Sequence, residues 1–185
     1  MKTVLAIDQS ITNSGYIRGR VDGSAFLIDS FGTDKKHAGD VGAQLIDFKK
    51  KLEPRLHGVD LIFLERPISP RGPTANINTL LPLYALYGHI DYLAQKRGMP
   101  CYEVDNGTHK KLIYGKGGPK PVNAVELAAS WGFKCKNVDE ADACGIFLLG
   151  IQKVFPEHFQ HFLDIKSKNP MVPFINAPKK KKKKK

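Results

Sequence analysis

The stretch that decides the fold is Val4-Leu5-Ala6-Ile7-Asp8-Gln9-Ser10-Ile11-Thr12-Asn13-Ser14-Gly15-Tyr16. A short apolar run that ends in an acid is typical of a strand buried on both faces. The polar turn after it can offer backbone N–H groups, so a metal ion and a phosphate could be held beside Asp8. Because a strand followed by Asp and a turn is common, this interpretation depends on whether other carboxylates reach the same place.

Two later segments carry acids that could meet Asp8. Residues 60–65 repeat the pattern of a buried strand that ends in a carboxylate, here Glu65. Asp139 and Asp142 are three residues apart in a predicted helix and therefore project from one side of it. Apolar residues continue that side, so we expect both acids to reach the surface or the edge of the sheet. The alternative is that Asp139 is only an N-cap and Asp142 an ordinary exposed acid.

The four acids would need a counter-charge if they converge, because crowded carboxylates raise one another's pKa. Divalent cations offset such charge, and a site with only oxygen ligands selects Mg²⁺ or Mn²⁺. Two ions in an acidic site suit phosphoryl chemistry, since one lowers the pKa of a water and the pair holds the attacking and leaving oxygens. The sequence therefore predicts a Mg²⁺ site, in which Mn²⁺ can substitute, made by Asp8, Glu65, Asp139 and Asp142.

Positive charge is concentrated in two segments of a chain with a formal net charge of +11. The terminal run 179–185 could be a nucleic-acid tether, a solubility tail or an addition that is not native. Residues 108–122 combine four lysines with three glycines, so a phosphate could approach the backbone closely. The Gly-Lys-Gly-Gly pattern does not have P-loop spacing, and a plain solvated loop is the alternative for this segment.

The order of predicted elements is that of an α/β protein. An Asp-Gly turn joins strands predicted over 16–20 and 25–30, which form an antiparallel meander with the first strand. Helices and strands alternate after that, with at least one crossover connection. They are predicted over 39–52 (helix), 60–65 (strand), 79–97 (helix), 100–104 (strand), 121–131 (helix) and 139–155 (helix). We expect one domain over 1–157 and an irregular segment over 158–185.

The helix predicted over 79–97 is apolar on two sides. Leu81, Leu86 and Leu93 lie off its main stripe. Such a helix either lies deep in the core or meets a second copy of the chain, so a homodimer face is one alternative. The main stripe consists of Leu80, Leu83, Tyr84, Tyr87, Ile90 and Ala94.

Length and composition exclude several classes of protein. A chain of 185 residues with 42% hydrophobic content fits one globular domain rather than a disordered segment. We expect no membrane span, because no apolar run has the required length, and no signal peptide, because only Lys2 precedes the first strand. Cys101, Cys135 and Cys144 form no Cys-x-x-Cys pair, so we expect free thiols in a reducing cytosol.

These motifs together resemble the RuvC-type Holliday junction resolvases, a family with a ribonuclease-H-like fold. Residues 5–10 with Gly15-Tyr16 look like the family's first catalytic strand and turn, and residues 62–65 are similar to its second acidic strand. Residues 139–143, Asp-Glu-Ala-Asp-Ala, resemble its acidic helix, and the lysines between 110 and 120 resemble its basic stretch. The resemblance covers residues 3–155.

The resemblance implies an α/β, ribonuclease-H-like fold whose five-stranded sheet has three antiparallel strands followed by parallel ones. It implies a crossover junction endodeoxyribonuclease, active in DNA recombination and repair, that cuts four-way junctions by metal-dependent hydrolysis and leaves 5′-phosphate ends. It also implies a homodimer through the helix over 79–97, in the cytoplasm of a bacterial cell or phage-infected host. Lys110 and Lys120 would act at the scissile phosphate, and the residues expected to contact DNA are Lys111, Lys116, Arg66 and Arg71.

The chain departs from the family pattern in places. Ile68 stands where an aromatic residue is frequent, three positions after the second acid, and Gln9-Ser10 replaces the usual Gly of the first turn. The terminal lysines are not a family feature, and such odd ends look more like phage members.

Three alternatives remain open at this point. The chain could be a related nuclease of the same fold that cuts other branched DNA or RNA–DNA hybrids. It could be an ATPase of the actin and sugar-kinase type, but 185 residues leave no room for the second nucleotide-binding subdomain of that fold. It could also be a non-catalytic DNA-binding module, although all four acids are present.

Overall fold

The computed structural model describes residues 1–67, 77–115 and 121–169, without the side chains of residues 78 and 79. Its strands are β1 (Thr3–Asp8), β2 (Ser14–Arg20), β3 (Phe26–Phe31), β4 (Leu61–Glu65) and β5 (Cys101–Val104). Its α-helices are α1 (Val41–Leu52), α2 (Ile77–Lys96), α3 (Asn106–Tyr114), α4 (Ala124–Ser130), α5 (Val138–Val154) and α6 (Pro156–Lys168).

The five strands form one mixed sheet in the order β3-β2-β1-β4-β5. β1, β2 and β3 pair antiparallel, as the Asp-Gly turn predicts for the β2–β3 hairpin. β4 pairs parallel with β1, and β5 pairs parallel with β4, so each of these strands is reached by a crossover through helix. The predicted fold class, with three antiparallel strands and then parallel ones, is confirmed.

The sheet is covered by helices on both faces, and the alternation of side chains along β1 assigns each residue to a face. Val4 and Ala6 pack in the core on the side of α5, together with residues of α3, α4 and α6. Leu5 and Ile7 pack in the core on the opposite side, against α1 and α2. Since successive side chains of a strand point to opposite faces, Asp8 continues the row that faces α5.

α5 is the central helix of the protein. All twelve residues from Glu140 to Ile151 are buried, and the helix contacts every strand of the sheet. Glycine allows it to lie close to the sheet: a Cβ built on Gly150 would lie 2.1 Å from Cδ2 of Phe63 on β4. The position of this helix therefore decides where its first turn, with Asp139 and Asp142, meets the sheet.

The basic segment predicted from residue 108 begins as a helix rather than a loop. The side chain of Asp105 accepts a hydrogen bond from the backbone N–H of Thr108 at 2.9 Å and caps α3. Gly115, with φ of 75°, ends the helix in the left-handed conformation that glycine adopts without strain. The plain-loop alternative is therefore wrong for residues 108–114, and residues 116–120 lie outside the described part.

The segment predicted to be irregular over 158–185 is helical up to Lys168. α6 continues to Lys168, and Phe159 and Phe162 are buried in the core beside α5. Pro156 starts this helix at a position where a missing N–H costs nothing. The prediction was wrong up to residue 168 because the proline-spaced sequence beyond it dominated the pattern. Residues 170–185, including the lysine run, lie outside the described part.

The buried face of α2 differs from the predicted stripe. Leu86 and Leu93, expected off the stripe, are in the core with Ile90 and Ala94, while Tyr84 is exposed. The buried residues follow the i, i+4, i+7, i+8 spacing of a helix that rests on the sheet. The prediction placed the buried face at the wrong angle about the helix axis, because both sides of this helix are apolar.

Two class expectations can be compared with the described residues. In that part of the chain, no helix has both the length and the apolar character needed to cross a membrane. All three cysteines are free thiols.

Candidate active site

Asp8 and Glu65 end two neighbouring parallel strands at the same edge of the sheet. Ile7 on β1 pairs with Leu64 on β4, so the two acids follow one position later on adjacent strands. Phe63 of β4 packs on the α5 side, and alternation places Glu65 on that side too, as it does Asp8. Adjacent strands are about 4.8 Å apart. The prediction that these acids lie together therefore has a direct basis in the register.

Asp139 and Asp142 come from the first turns of α5. The N-cap of this helix is Asn137, not Asp139, and the amide of Asn13 donates a hydrogen bond to Oδ2 of Asp139 at 2.7 Å. Asp142 is only 1% exposed. Both parts of the simpler alternative, an N-cap at Asp139 and an exposed acid at Asp142, are therefore wrong.

Gly15 lies between the strand that carries Asp8 and the start of the helix that carries Asp139. It lies opposite Asp8 in the β1–β2 register, and a Cβ built on it would lie 2.0 Å from the carbonyl oxygen of Asp139. The backbone at the start of α5 therefore rests directly on the strand residue that faces Asp8. Only a residue without a side chain allows this approach.

α3 contributes two polar side chains that reach the acids of β4 and α5. The hydroxyl of Tyr114 donates a hydrogen bond to Oδ1 of Asp142 at 2.5 Å. Burial, together with the negative charges of Asp142 and Asp8, raises the pKa of Tyr114. His109 is fully buried, with Nδ1 at 3.8 Å from Oε1 of Glu65, and burial lowers its pKa to about 4. A neutral His109 and a protonated Tyr114 therefore lie among these carboxylates at neutral pH.

The turn after β1 is held by the side chains of Gln9 and Ser14. The amide of Gln9 donates a hydrogen bond to the carbonyl oxygen of Glu65 at 2.7 Å, which ties the ends of β1 and β4 together. Ser14 closes the turn, because its hydroxyl bonds both the N–H and the carbonyl of Ser10 at 2.8 and 2.7 Å. The departure Gln9-Ser10 is thus compatible with a fixed position for Asp8.

Carboxylate oxygens, which all four acids supply, are the type of ligand that Mg²⁺ prefers. The positions of these side chains, however, are not those of a metal site. In the described part of the chain, no three His, Cys, Asp or Glu side chains form a group that could hold a metal ion. Asp139 and Asp142 are instead hydrogen-bonded to Asn13 and Tyr114. Binding of a metal ion would therefore require side chains to move, and the metal site stays a proposal.

The predicted DNA contacts are only partly described. Lys110 lies on α3, where its Nζ donates a hydrogen bond to Oδ1 of Asn106 at 2.9 Å, and Lys111 is exposed on the same helix. Arg66, next to Glu65, is exposed and forms an ion pair with Glu103 at 2.7 Å. Arg66 thus follows Glu65 directly, and the two lysines lie on α3, the helix that carries His109 and Tyr114. Arg71, Lys116 and Lys120 lie outside the described residues.

Glu140 is a fifth acid of this region, and the sequence interpretation did not include it. It is fully buried, and its Oε2 accepts the backbone N–H of Lys136 at 2.7 Å. Its Oε1 accepts hydrogen bonds from Ser30 at 3.2 Å and from Asn137 at 3.1 Å. Glu140 therefore fixes the start of α5, rather than facing a substrate. The spacing from Asn137 to Glu140, that of a capping box, is a signal that could have found it.

We expect Glu140→Gln to lower the free energy of unfolding by about 1–3 kcal/mol, because one of its buried donor groups would then face an amide N–H₂. Urea denaturation followed by circular dichroism measures this. Glu126→Gln is the matched control and should leave stability unchanged, because Glu126 is exposed on α4. Equal stability of the two variants would contradict the role given to Glu140.

Comparison of the whole chain with known proteins identifies solved structures that share its fold. No protein-family model and no curated protein sequence matches it. Thermus thermophilus RuvC, solved in complex with a Holliday junction substrate, superposes with a TM-score of 0.63 at 15% identity, over 83% of this chain and 95% of that one. The chain has the ribonuclease-H-like resolvase fold.

Two further resolvases have the same fold. The fowlpox virus resolvase, solved with Holliday junction DNA, gives a TM-score of 0.52 at 11% identity, over 83% of this chain and 99% of that chain. The yeast mitochondrial Holliday junction resolvase Ydc2 gives 0.51 at 15% identity, over 90% of this chain and 81% of its own. The ribonuclease-H-like resolvase fold therefore extends over most of this protein.

Proposed function

We propose that this protein is a structure-selective DNA endonuclease that resolves four-way junctions. The observation that supports this most directly is that Asp8 and Glu65 end neighbouring parallel strands, while the start of α5 packs on Gly15, the residue opposite Asp8. The fold supports the choice of substrate, because two proteins that share it were solved in complex with a Holliday junction.

In this proposal the four acids Asp8, Glu65, Asp139 and Asp142 hold Mg²⁺, or Mn²⁺ in its place. The bound ion would lower the pKa of a water molecule and stabilise the negative charge at the phosphate. The chain's own residues orient the site, since Asn13 and Tyr114 hold two of its carboxylates. Lys110, with Lys120, would place positive charge at the scissile phosphate. Water adds to phosphorus and the 3′ oxygen leaves with a proton, which gives 5′-phosphate and 3′-hydroxyl ends.

We also propose that two copies act together, in the cytoplasm, so that paired strands of the junction are nicked symmetrically. α2 supports this, because Leu81, Tyr84 and Tyr92 are 59%, 42% and 58% exposed on a helix whose other side is in the core. Apolar side chains gathered on one helix are suited to an interface between copies. Sedimentation of the protein at the mass of a single chain would contradict the homodimer.

A nicking assay on several substrates tests the proposed function. We expect Mg²⁺-dependent nicking of a mobile four-way junction, with much slower cleavage of a Y-fork, a linear duplex and an RNA–DNA hybrid. Cleavage of the hybrid alone would favour the related nuclease of the same fold instead. The assay should be repeated after deletion of residues 179–185, because seven lysines add a salt-dependent affinity for any DNA.

A further inference from the structure

Cys135 and Cys144 form a pair of thiols that the proposed nuclease activity does not use. Their Sγ atoms lie 3.6 Å apart, at the distance of a thiol–thiol hydrogen bond, and both thiols are free. The sulfur atoms of a disulfide are about 2.05 Å apart, so these two would have to approach by about 1.5 Å to form one. The third cysteine, Cys101, packs in the core on the opposite side of the sheet.

The connection that carries Cys135 is anchored on both sides of this residue. Phe133 is 1% exposed and packs in the core on the α5 side. The backbone N–H of Lys136 donates a hydrogen bond to Oε2 of Glu140 at 2.7 Å, on the same helix as Cys144. The two sulfur atoms are therefore held close together by the folded chain. Groups held in this way react as though each were present at a very high concentration.

The two thiols differ in their access to solvent. Cys135 is partly exposed, between Lys134 and Lys136, whereas Cys144 is fully buried. Burial also raises the pKa of the Cys144 thiol well above its usual value. An oxidant from solvent therefore reaches Cys135 first. An accessible thiol with a second thiol beside it is the arrangement in which oxidation ends in a disulfide.

We propose that Cys135 and Cys144 are an oxidisable pair, whose substrate is a peroxide and whose product is a disulfide. With hydrogen peroxide, the Cys135 sulfur attacks one oxygen, the O–O bond breaks, and a sulfenic acid and one water form. The Cys144 sulfur then attacks the Cys135 sulfur, the S–O bond breaks, and the hydroxyl leaves with the Cys144 proton as a second water. The thiols lose two electrons and two protons in total, and a dithiol returns them by exchange.

The disulfide would join the start of α5 to the connection before it. The bond closes a short loop that contains Asn137, the N-cap of the helix. Because such a loop restricts the unfolded chain, we expect the oxidised protein to melt about 5–10 °C above the reduced one. A lower melting temperature after oxidation would overturn the view that the two thiols are already placed for closure.

The test treats the folded, reduced protein with a small excess of hydrogen peroxide and follows its mass. We expect the loss of two hydrogen atoms, reversed by dithiothreitol. Trypsin without reductant should release the dipeptide 135–136 linked to residues 137–153, because Lys134, Lys136 and Lys153 are cleavage sites. Cys101→Ser is the matched control and should show the same mass loss and the same linked peptide. Cys135→Ser should show neither.

The fate of Cys135 without its partner thiol is a second measurement. In Cys144→Ser, we expect Cys135 to gain two oxygen atoms and end as a sulfinic acid, because no second thiol is there to react with the sulfenic acid. A sulfinic acid at Cys135 in the wild-type protein, or a disulfide that involves Cys101 or a second chain, would overturn the proposal. None of these measurements uses DNA, so their outcome is separate from that of the nuclease proposal.

Discussion

Asp8→Asn is expected to abolish cleavage of a four-way junction while leaving junction binding nearly intact. Asn keeps the size of the side chain, so β1 and its pairing with β2 and β4 should be preserved. The negative charge that would hold a cation is lost. Because metal stabilisation of phosphoryl transfer is worth several kcal/mol, we expect the rate to fall by about 10³-fold or more.

Single-turnover nicking in Mg²⁺ measures the rate, and a gel-shift titration in Ca²⁺ measures the affinity. Asp164→Asn is the matched control, since Asp164 is exposed on α6 and accepts a hydrogen bond only 4 residues away, from Gln160. It should cut at the wild-type rate. If Asp8→Asn also cuts at that rate, Asp8 is not part of a catalytic centre, and the metal assignment fails with it.

The mixed character of the sheet and the neighbouring positions of Asp8 and Glu65 could be predicted, because each rests on a short local pattern. The run from Val4 to Ile7 is apolar throughout, as a strand covered on both faces must be, and the acid after it marks the edge of the sheet. The same pattern recurs before Glu65. Parallel pairing of these two strands then brings the acids together without further information.

The surroundings of the acids could not be predicted, because they depend on contacts between distant segments. Tyr114 contacts Asp142 and Asn13 contacts Asp139, at separations of 28 and 126 residues. Neither Tyr114 nor Asn13 lies in a sequence motif that predicts its contact with an aspartate. The existence of α3 did have a signal, Asp105 as N-cap and Gly115 as the end. The lysines and glycines of that segment obscured it, since they are equally typical of a loop.

Gly15→Ala is expected to remove cleavage by a different route, through the packing of α5. Gly15 has an ordinary strand conformation, so the change introduces no backbone strain. The obstacle is space: the new Cβ would lie 2.0 Å from the carbonyl oxygen of Asp139 and 2.6 Å from the backbone nitrogen of Glu140. Both are backbone atoms of a buried helix, so no side chain can rotate away to make room.

The start of α5 would have to move away from β2 by about 1 Å or more to reach an ordinary contact distance. That movement separates Asp139 and Asp142 from Asp8 and Glu65 and breaks the bond from Asn13. A misplacement of this size can cost about 10²-fold in rate. We also expect overpacking to lower the free energy of unfolding by about 1–3 kcal/mol.

Gly42→Ala separates the effect of lost space from that of lost glycine. Gly42 is exposed in the first turn of α1, and the nearest atom to a Cβ built there is Oδ1 of Asp40 at 3.4 Å, an ordinary contact distance. Alanine there should raise stability by up to about 1 kcal/mol and leave cleavage unchanged. Urea denaturation and the junction nicking assay are applied to both variants. If Gly15→Ala were as stable and as active as Gly42→Ala, the close approach of α5 to β2 would not be what brings the start of the helix to the strands.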